Sequence, residues 1–228
     1  MQGKYNEVDE EKDTKYIHIV GGGNKDKSAN FHTISMYGDA WFSKAVSSTG
    51  SDYAEFFEWI DGNPNSEDRI ARVVTLVGDK ITLANPGDRI LGIVSDTVAI
   101  LGDNAEWSWK NTYVTDKFGR IIYDQVEEFG PGIDPETGEE IQISLGFFPH
   151  PRINPDYDPN QKYVSREERP EWDKVGMLGK LYALDDGTCV PGAYATVSIN
   201  GILTYSTTPT NIYVMKRTAE DVVYVLLK

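Results

Sequence analysis

Disulfide bonding within the chain is excluded by composition, because the 228 residues hold one cysteine, Cys189, which reads as a buried thiol of a protein folded in a reducing cytoplasm. Histidine is almost as scarce: His18, His32 and His150 are scattered without ligand spacing, so no metal is expected. No apolar run approaches the ~20 residues of a membrane helix; Ile90–Val94 and Val222–Leu227 are among the longest, at five and six residues. Nothing at the start reads as a signal peptide. The chain reads as soluble, without a membrane partner, and as a piece of a longer polypeptide. It holds no GxxxxGK[ST] phosphate loop, nucleophile elbow, HExxH or EF-hand, and Gly21–Gly23 lacks the lysine and helix start of a phosphate loop. No cofactor is expected.

What is abundant is acid. The formal charge is −14, and it is uneven: six basic and seven acidic residues precede Asp52, against sixteen and twenty-nine from Asp52 onward. Such a surface repels phosphate backbones, so no nucleic-acid partner is expected.

The pattern is that of a mainly β chain. Tyr16–Val20 and Phe31–Tyr37 alternate as short strands, broken by Gly21–Gly23 and by Gly38-Asp39, and Ala40–Phe42 follows. Roughly 50 residues of this kind cannot close a core, so either the following part covers them or identical copies pack around an axis. Beyond Asp52, Arg72–Leu76 and Ile81–Leu83 flank Val77–Lys80 as a hairpin, and a second hairpin is expected around Asp134–Gly138. Asp185–Gly187 turns the chain between Leu178–Tyr182 and Tyr194–Ile199, Gly201 precedes Ile202–Tyr205, and Val222–Leu227 reads as a buried strand. Ser165–Arg169 offers a helical turn or two at most. From Phe148 to Trp172 a long loop carries Pro149, Pro151, Pro155, Pro159 and Pro170; such loops are often functional. This one is expected either to reach across a subunit boundary or to pack on its own subunit.

Chemistry concentrates in Ser51–Trp59, after the small-residue run Ser47–Gly50. Extended alternation puts Glu55 on one face with Tyr53, Phe57 and Trp59, an aromatic setting in which a carboxylate loses hydration and gains basicity. The plainer alternative is a glutamate paired with Arg69 or Arg72. Asp52 falls on the opposite parity, so joint action with Glu55 requires a bulge at the strand's start or a carboxylate from another subunit.

Tyr53–Trp59, Asp61–Asn63, Glu67–Arg69, Leu91–Ser95, Asp116–Arg120, Arg169–Trp172, Val175–Lys180 and Asp185–Cys189 together resemble the intramolecular-chaperone autoprotease domain that ends phage neck-appendage and tailspike proteins. Gln2–Asn6, Tyr16–Gly23 and Asp39–Phe42 are similar to the fibre segment that precedes such domains. The resemblance implies residues 1–51 as the end of a short trimeric β fibre segment and 52–228 as a β-rich chaperone and autoprotease with a long Pro-rich loop. It implies a homotrimer, upstream fibre domains as partners, assembly in the host cytoplasm and a fibre part in the virion tail. It further implies a cut at Ser51–Asp52, with Asp52 and Glu55 as the carboxylates that take part in it.

In the preferred chemistry Glu55 deprotonates a water that attacks the Ser51 carbonyl, and Asp52 donates a proton to its departing amine. Alternatively the Asp52 carboxylate attacks that carbonyl directly. The Ser51 hydroxyl is better placed for Gly50 than for its own carbonyl. Two other readings are a permanent trimeric fibre tip that is never cut and binds a receptor or glycan, and a glycan hydrolase with paired carboxylates.

Overall fold

The computed structural model describes residues 16–21, 30–35, 40–43, 45–104 and 112–228; the expected breaks at Gly22-Gly23 and Gly38-Asp39 lie outside them. The chain divides into two compact units, 1–49 and 50–228. Ser51, expected at the end of the first segment, thus folds with the second.

In the first unit β1 (Tyr16–Gly21), β2 (Asn30–Ser35) and β3 (Ala40–Phe42) form an antiparallel meander in sequence order. Trp41 and Phe42 are about half exposed, at 47% and 53%.

The second unit begins with β4 (Asp52–Glu58), β5 (Val73–Val77), β6 (Lys80–Leu83), β7 (Gly92–Val94) and β8 (Val98–Gly102). A two-stranded ribbon follows, β9 (Tyr123–Ile133) and β10 (Glu140–Pro151). A 3-10 turn at Arg166–Glu168 leads into the long β11 (Trp172–Leu184). The chain ends with β12 (Tyr194–Val197), β13 (Leu203–Ser206), β14 (Ile212–Ala219) and β15 (Val222–Leu227). Among the described residues there is no α-helix.

The main sheet runs β13-β12-β14-β15-β11-β7-β5-β6, and β4 pairs antiparallel with β11 and parallel with β8. The β5–β6 hairpin forms at the expected place because Gly78, at φ +68°, takes a turn conformation that a side chain disfavours. β11 is the organiser: β15 pairs with it over Gly179–Leu184 and β4 over Trp172–Gly179. Alternate residues of these strands, Leu181, Ala183, Val223, Val225 and Leu227, fill one core with Val73, Ile93 and Ile212, while Trp59, Val74, Ile81, Val94 and Val175 fill a second. Each fully buried Val, Leu or Ile stabilises by roughly 1.5–3 kcal/mol before entropy is counted. Only one face of β15 is buried, so the expectation of a buried strand holds for every second residue.

The Pro-rich loop is shorter than expected. Phe148–Pro151 belongs to β10, and residues 152–154 still pair with the 112–122 stretch. Proline is tolerated there because in a two-stranded ribbon each strand has a free edge, and no central ladder loses a donor. The second hairpin turns where expected: the Asp134 carboxylate accepts from the Glu136 and Thr137 amides at 2.8 and 3.2 Å. Its strands are far longer than the turn signals suggested.

Candidate active site

β4 alternates buried and half-buried residues along Asp52–Glu58, and the face it buries is that of Asp52, Ala54 and Phe56. Glu55 lies on the other face with Tyr53 and Phe57, as parity requires, but that face is only partly covered. Trp59, just beyond the strand, sits 1% exposed in the second core, against which Phe57 packs, and donates from Nε1 to Asp173 at 2.7 Å. The buried carboxyl is therefore Asp52 rather than Glu55, because the Asp52 face is the more deeply buried side of the strand.

Asp52 is 2% exposed, and neither Oδ1 nor Oδ2 has a hydrogen-bond partner. Burial raises its pKa above the ordinary aspartate value; the Ser95 hydroxyl and its own backbone N–H pull the other way, off the geometry of true hydrogen bonds. Gly176 of β11 leaves the space the carboxyl occupies: a Cβ there would stand 2.6 Å from Asp52 Oδ2 and collide with Leu181. Glu55 takes a hydrogen bond from the Tyr53 hydroxyl and packs against Gly102 of β8. Neither expected arginine reaches it. Arg69 pairs with Asp61 and Glu67 at 2.7 and 2.9 Å, and Arg72 donates to the Asn200 carbonyl.

Asp52 and Glu55 thus project from opposite faces of one strand and are not brought together within a chain. The register does slip at the strand's start, but the extra residues are Ala99 of β8 and Met177 of β11, so β4 itself keeps its alternation.

The Ser51–Asp52 peptide is gripped from β11. The Lys180 N–H donates to the Ser51 carbonyl at 3.2 Å, extending the β4–β11 ladder by one residue, and the Ser51 N–H donates to Thr97 at 3.2 Å. The Ser51 hydroxyl donates to the Lys180 carbonyl at 2.7 Å and lies 3.2 Å from the Tyr224 hydroxyl. Gly179, at φ +118°, lies flat against this peptide: a Cβ on it would collide with Ser51 O and stand 2.9 Å from Asp52 Cα. Sequence reasoning missed Gly176, Gly179, Lys180, Ser95 and Tyr224 as parts of the site. Two glycines within one strand are the signal that could have found the first pair, since glycine inside a strand marks a bulge or a close backbone approach.

Other chemistry is weaker. Cys189 is 3% exposed and its thiol is pushed up to about 12 by burial and the nearby Asp185, so it offers no thiolate at neutral pH. A cleft lined by Asn63, Arg69, Glu167, Arg169, Trp172 and Asp173 contains none of Ser51, Asp52 and Glu55. A bond cut within its own chain needs no such pocket.

Against known families, the Peptidase_G2, IMC autoproteolytic cleavage domain, matches residues 5–222. A pre-neck appendage protein of Bacillus phage B103 is 36% identical over 168 residues, 71% of this chain and 18% of that protein. The putative phage-related protein YobO of Bacillus subtilis (strain 168) is 36% identical over 83% of this chain and 22% of its own length. The chain thus spans about a fifth of these curated relatives. The crystal structure of pre-mature gene product 12 of bacteriophage phi29 superposes with a TM-score of 0.72 at 28% identity, over 92% of this chain and 26% of that one.

Proposed function

Since the chain belongs to the family of IMC autoproteolytic cleavage domains, we propose that it cuts itself between Ser51 and Asp52 and so frees a phage neck-appendage fibre from the intramolecular chaperone that trimerised it. The observation that carries this reading is the Asp52 carboxyl: buried, unpartnered, raised in pKa, and attached to the residue whose amide nitrogen must leave. A carboxyl in that condition holds its proton to a higher pH than an ordinary aspartate, which favours the role of a general acid.

The two faces of β4 suit a division of labour. A water adding to the Ser51 carbonyl carbon from the half-exposed face gives up a proton to a carboxylate as its oxygen bonds to carbon. The nitrogen's lone pair then develops on the opposite, buried face, where the Asp52 carboxyl supplies a proton. The C–N bond breaks, leaving on Ser51 a carboxylic acid that gives its proton to the new Asp52 amine, and the proton held by the base returns to the Asp52 carboxylate. Glu55 is the expected base. In the same chain its Cα is four residues from Ser51 along an extended strand, about 13 Å, and its carboxylate is engaged by Tyr53. We therefore assign the role to Glu55 of a neighbouring copy in a homotrimer, assembled in the host cytoplasm and leaving its fibre part in the virion neck.

Intact mass followed over time after purification tests the reading. Pieces of residues 1–51 and 52–228 are expected, and a chain that stays whole in the assembled trimer would instead favour a permanent fibre tip.

A further inference from the structure

We propose that Tyr224, at the far end of the chain, is a positioning residue for self-cleavage: with the backbone of Gly179-Lys180 it clamps Ser51 so that the Ser51–Asp52 carbonyl is held against the Lys180 N–H. The proposal rests on the cut at Ser51–Asp52.

Ser51 has every polar atom engaged. Its amide donates to Thr97, its carbonyl accepts from Lys180, and its hydroxyl proton goes to the Lys180 carbonyl at 2.7 Å. A serine hydroxyl has one proton, so the 3.2 Å contact with Tyr224 is made by the tyrosine donating to Ser51 Oγ. The hydroxyl is thereby held between β11 and β15, its proton engaged by the Lys180 carbonyl and a lone pair engaged by the Tyr224 hydroxyl. This is the setting of an anchor and not of a nucleophile. The tyrosine is itself placed by the Tyr182 ring, 4.8 Å away, and by Lys216, whose Nζ lies 5.4 Å from its ring centre.

The anchor acts on the carbonyl through geometry. Ser51 and Lys180 are joined twice, backbone to backbone and side chain to backbone, which fixes the carbonyl's direction as well as its distance. As its oxygen gathers negative charge, the single Lys180 N–H bond becomes charge-assisted and strengthens. Gly179 permits this approach: any side chain there would collide with Ser51 O. The clamp also depends on β15 being seated on β11, since Tyr224 lies on that strand. The clamp is then complete once the last strand has docked, which links the rate of cleavage to completion of the fold.

The test is a cycle of first-order self-cleavage rates on the whole chain: parent, Tyr224→Phe, Ser51→Ala, the double variant, and Ser51→Thr, with melting temperature and product masses recorded for each. Tyr224→Phe keeps the ring and its contacts and is expected to slow cutting about 3- to 10-fold, the net worth of one neutral hydrogen bond. Ser51→Ala slows it by at least as much, the double variant is no slower than Ser51→Ala, and Ser51→Thr restores most of the rate. Independent, multiplying effects of the two substitutions would overturn the clamp, as would an unchanged rate in Tyr224→Phe. So would abolition of cutting by Ser51→Ala with Tyr224→Phe at the parent rate, which would make the hydroxyl a reactant. Product masses keep the two readings apart: a parent cut at another bond removes the cleavage site itself, whereas a cut at Ser51–Asp52 with a flat cycle removes only the clamp.

Discussion

Asp52→Asn separates two consequences of burying a carboxyl beside the proposed cut. Both oxygens are unpartnered in a residue that is 2% exposed, and an unsatisfied buried polar group costs about 1–3 kcal/mol, more when charged. Because burial raises the pKa, the native state keeps the proton to a higher pH than the unfolded chain does. Stability therefore carries no ionisation penalty below the ordinary aspartate range and falls as pH rises through the folded-state pKa. Asparagine cannot ionise, so it removes this pH-dependent penalty and keeps the neutral shape. Stability must be compared between uncut chains, which Glu55→Gln and Asp52→Asn/Glu55→Gln are expected to supply. Their urea unfolding curves should coincide at acid pH and diverge with rising pH, the double variant being the more stable at the alkaline end, each kcal/mol of difference raising Tm by ~2–4 °C for a unit of this size. With Glu55 intact, Asp52→Asn should slow cutting ~10²–10⁴-fold, the range of a lost general acid. A stability difference that stays constant across pH would refute the desolvation argument. Cutting at the parent rate would reduce Asp52 to a marker of the site.

Light scattering is expected to give a homotrimer; a stable monomer at micromolar concentration would count against the assembly. Glu55→Gln should keep fold and trimer while stopping or greatly slowing the cut, and normal cutting would dismiss Glu55 as the base. Mixed trimers of Glu55→Gln and Asp52→Asn chains, told apart by mass, should cut the Glu55→Gln chain alone, since its neighbour still offers Glu55; no cutting in verified mixed trimers would return the base to the same chain. Arg217→Met should lower the melting temperature more at neutral than at acid pH. Burial raises the Asp185 pKa but the Arg217 guanidinium and backbone donors hold it below the usual value, so the pair's contribution is present above the ordinary aspartate range and is lost as pH falls through the folded-state pKa.

The hairpins were legible because period-two alternation meets turn chemistry at Gly78-Asp79 and at Asp134–Gly138. The full length of β11 was not, because Gly176 and Gly179 interrupt the alternation and Met177 is bulged; only Leu178–Tyr182 reads as strand. Parity correctly separated Asp52 from Glu55, yet parity is symmetric. It says which residues share a face and not which face is covered, and the aromatic company of Glu55 suggested the wrong one. Tyr224 lies 173 positions from Ser51, and a contact of that separation leaves no local pattern. Its strand could be read from the sequence while its role could not.

Cutting and parting are separate events in this geometry. Hydrolysis at the proposed Ser51–Asp52 site would break one covalent bond, but the hydrogen bonds of Ser51 to Thr97, Lys180 and Tyr224 and the ladder of Asp52 with β11 would still tie both ends to the second unit. The new chain ends work against that grip: a carboxylate forms where Ser51 had a neutral carbonyl, and the Asp52 amine gains a charge next to a carboxyl that resists ionisation. A charged ammonium favours the ionised carboxyl and so brings a second charge into a site short of hydrogen-bond partners. These charges loosen the grip of the hydrogen bonds that outlast the peptide but do not remove them, so the pieces should part more slowly than the bond breaks. Denaturing gels sampled alongside native mass spectra check this: cut chains should appear first in the former, with the assembly still whole in the latter. Simultaneous loss of both would mean that Ser51's hydrogen bonds do not outlast the peptide.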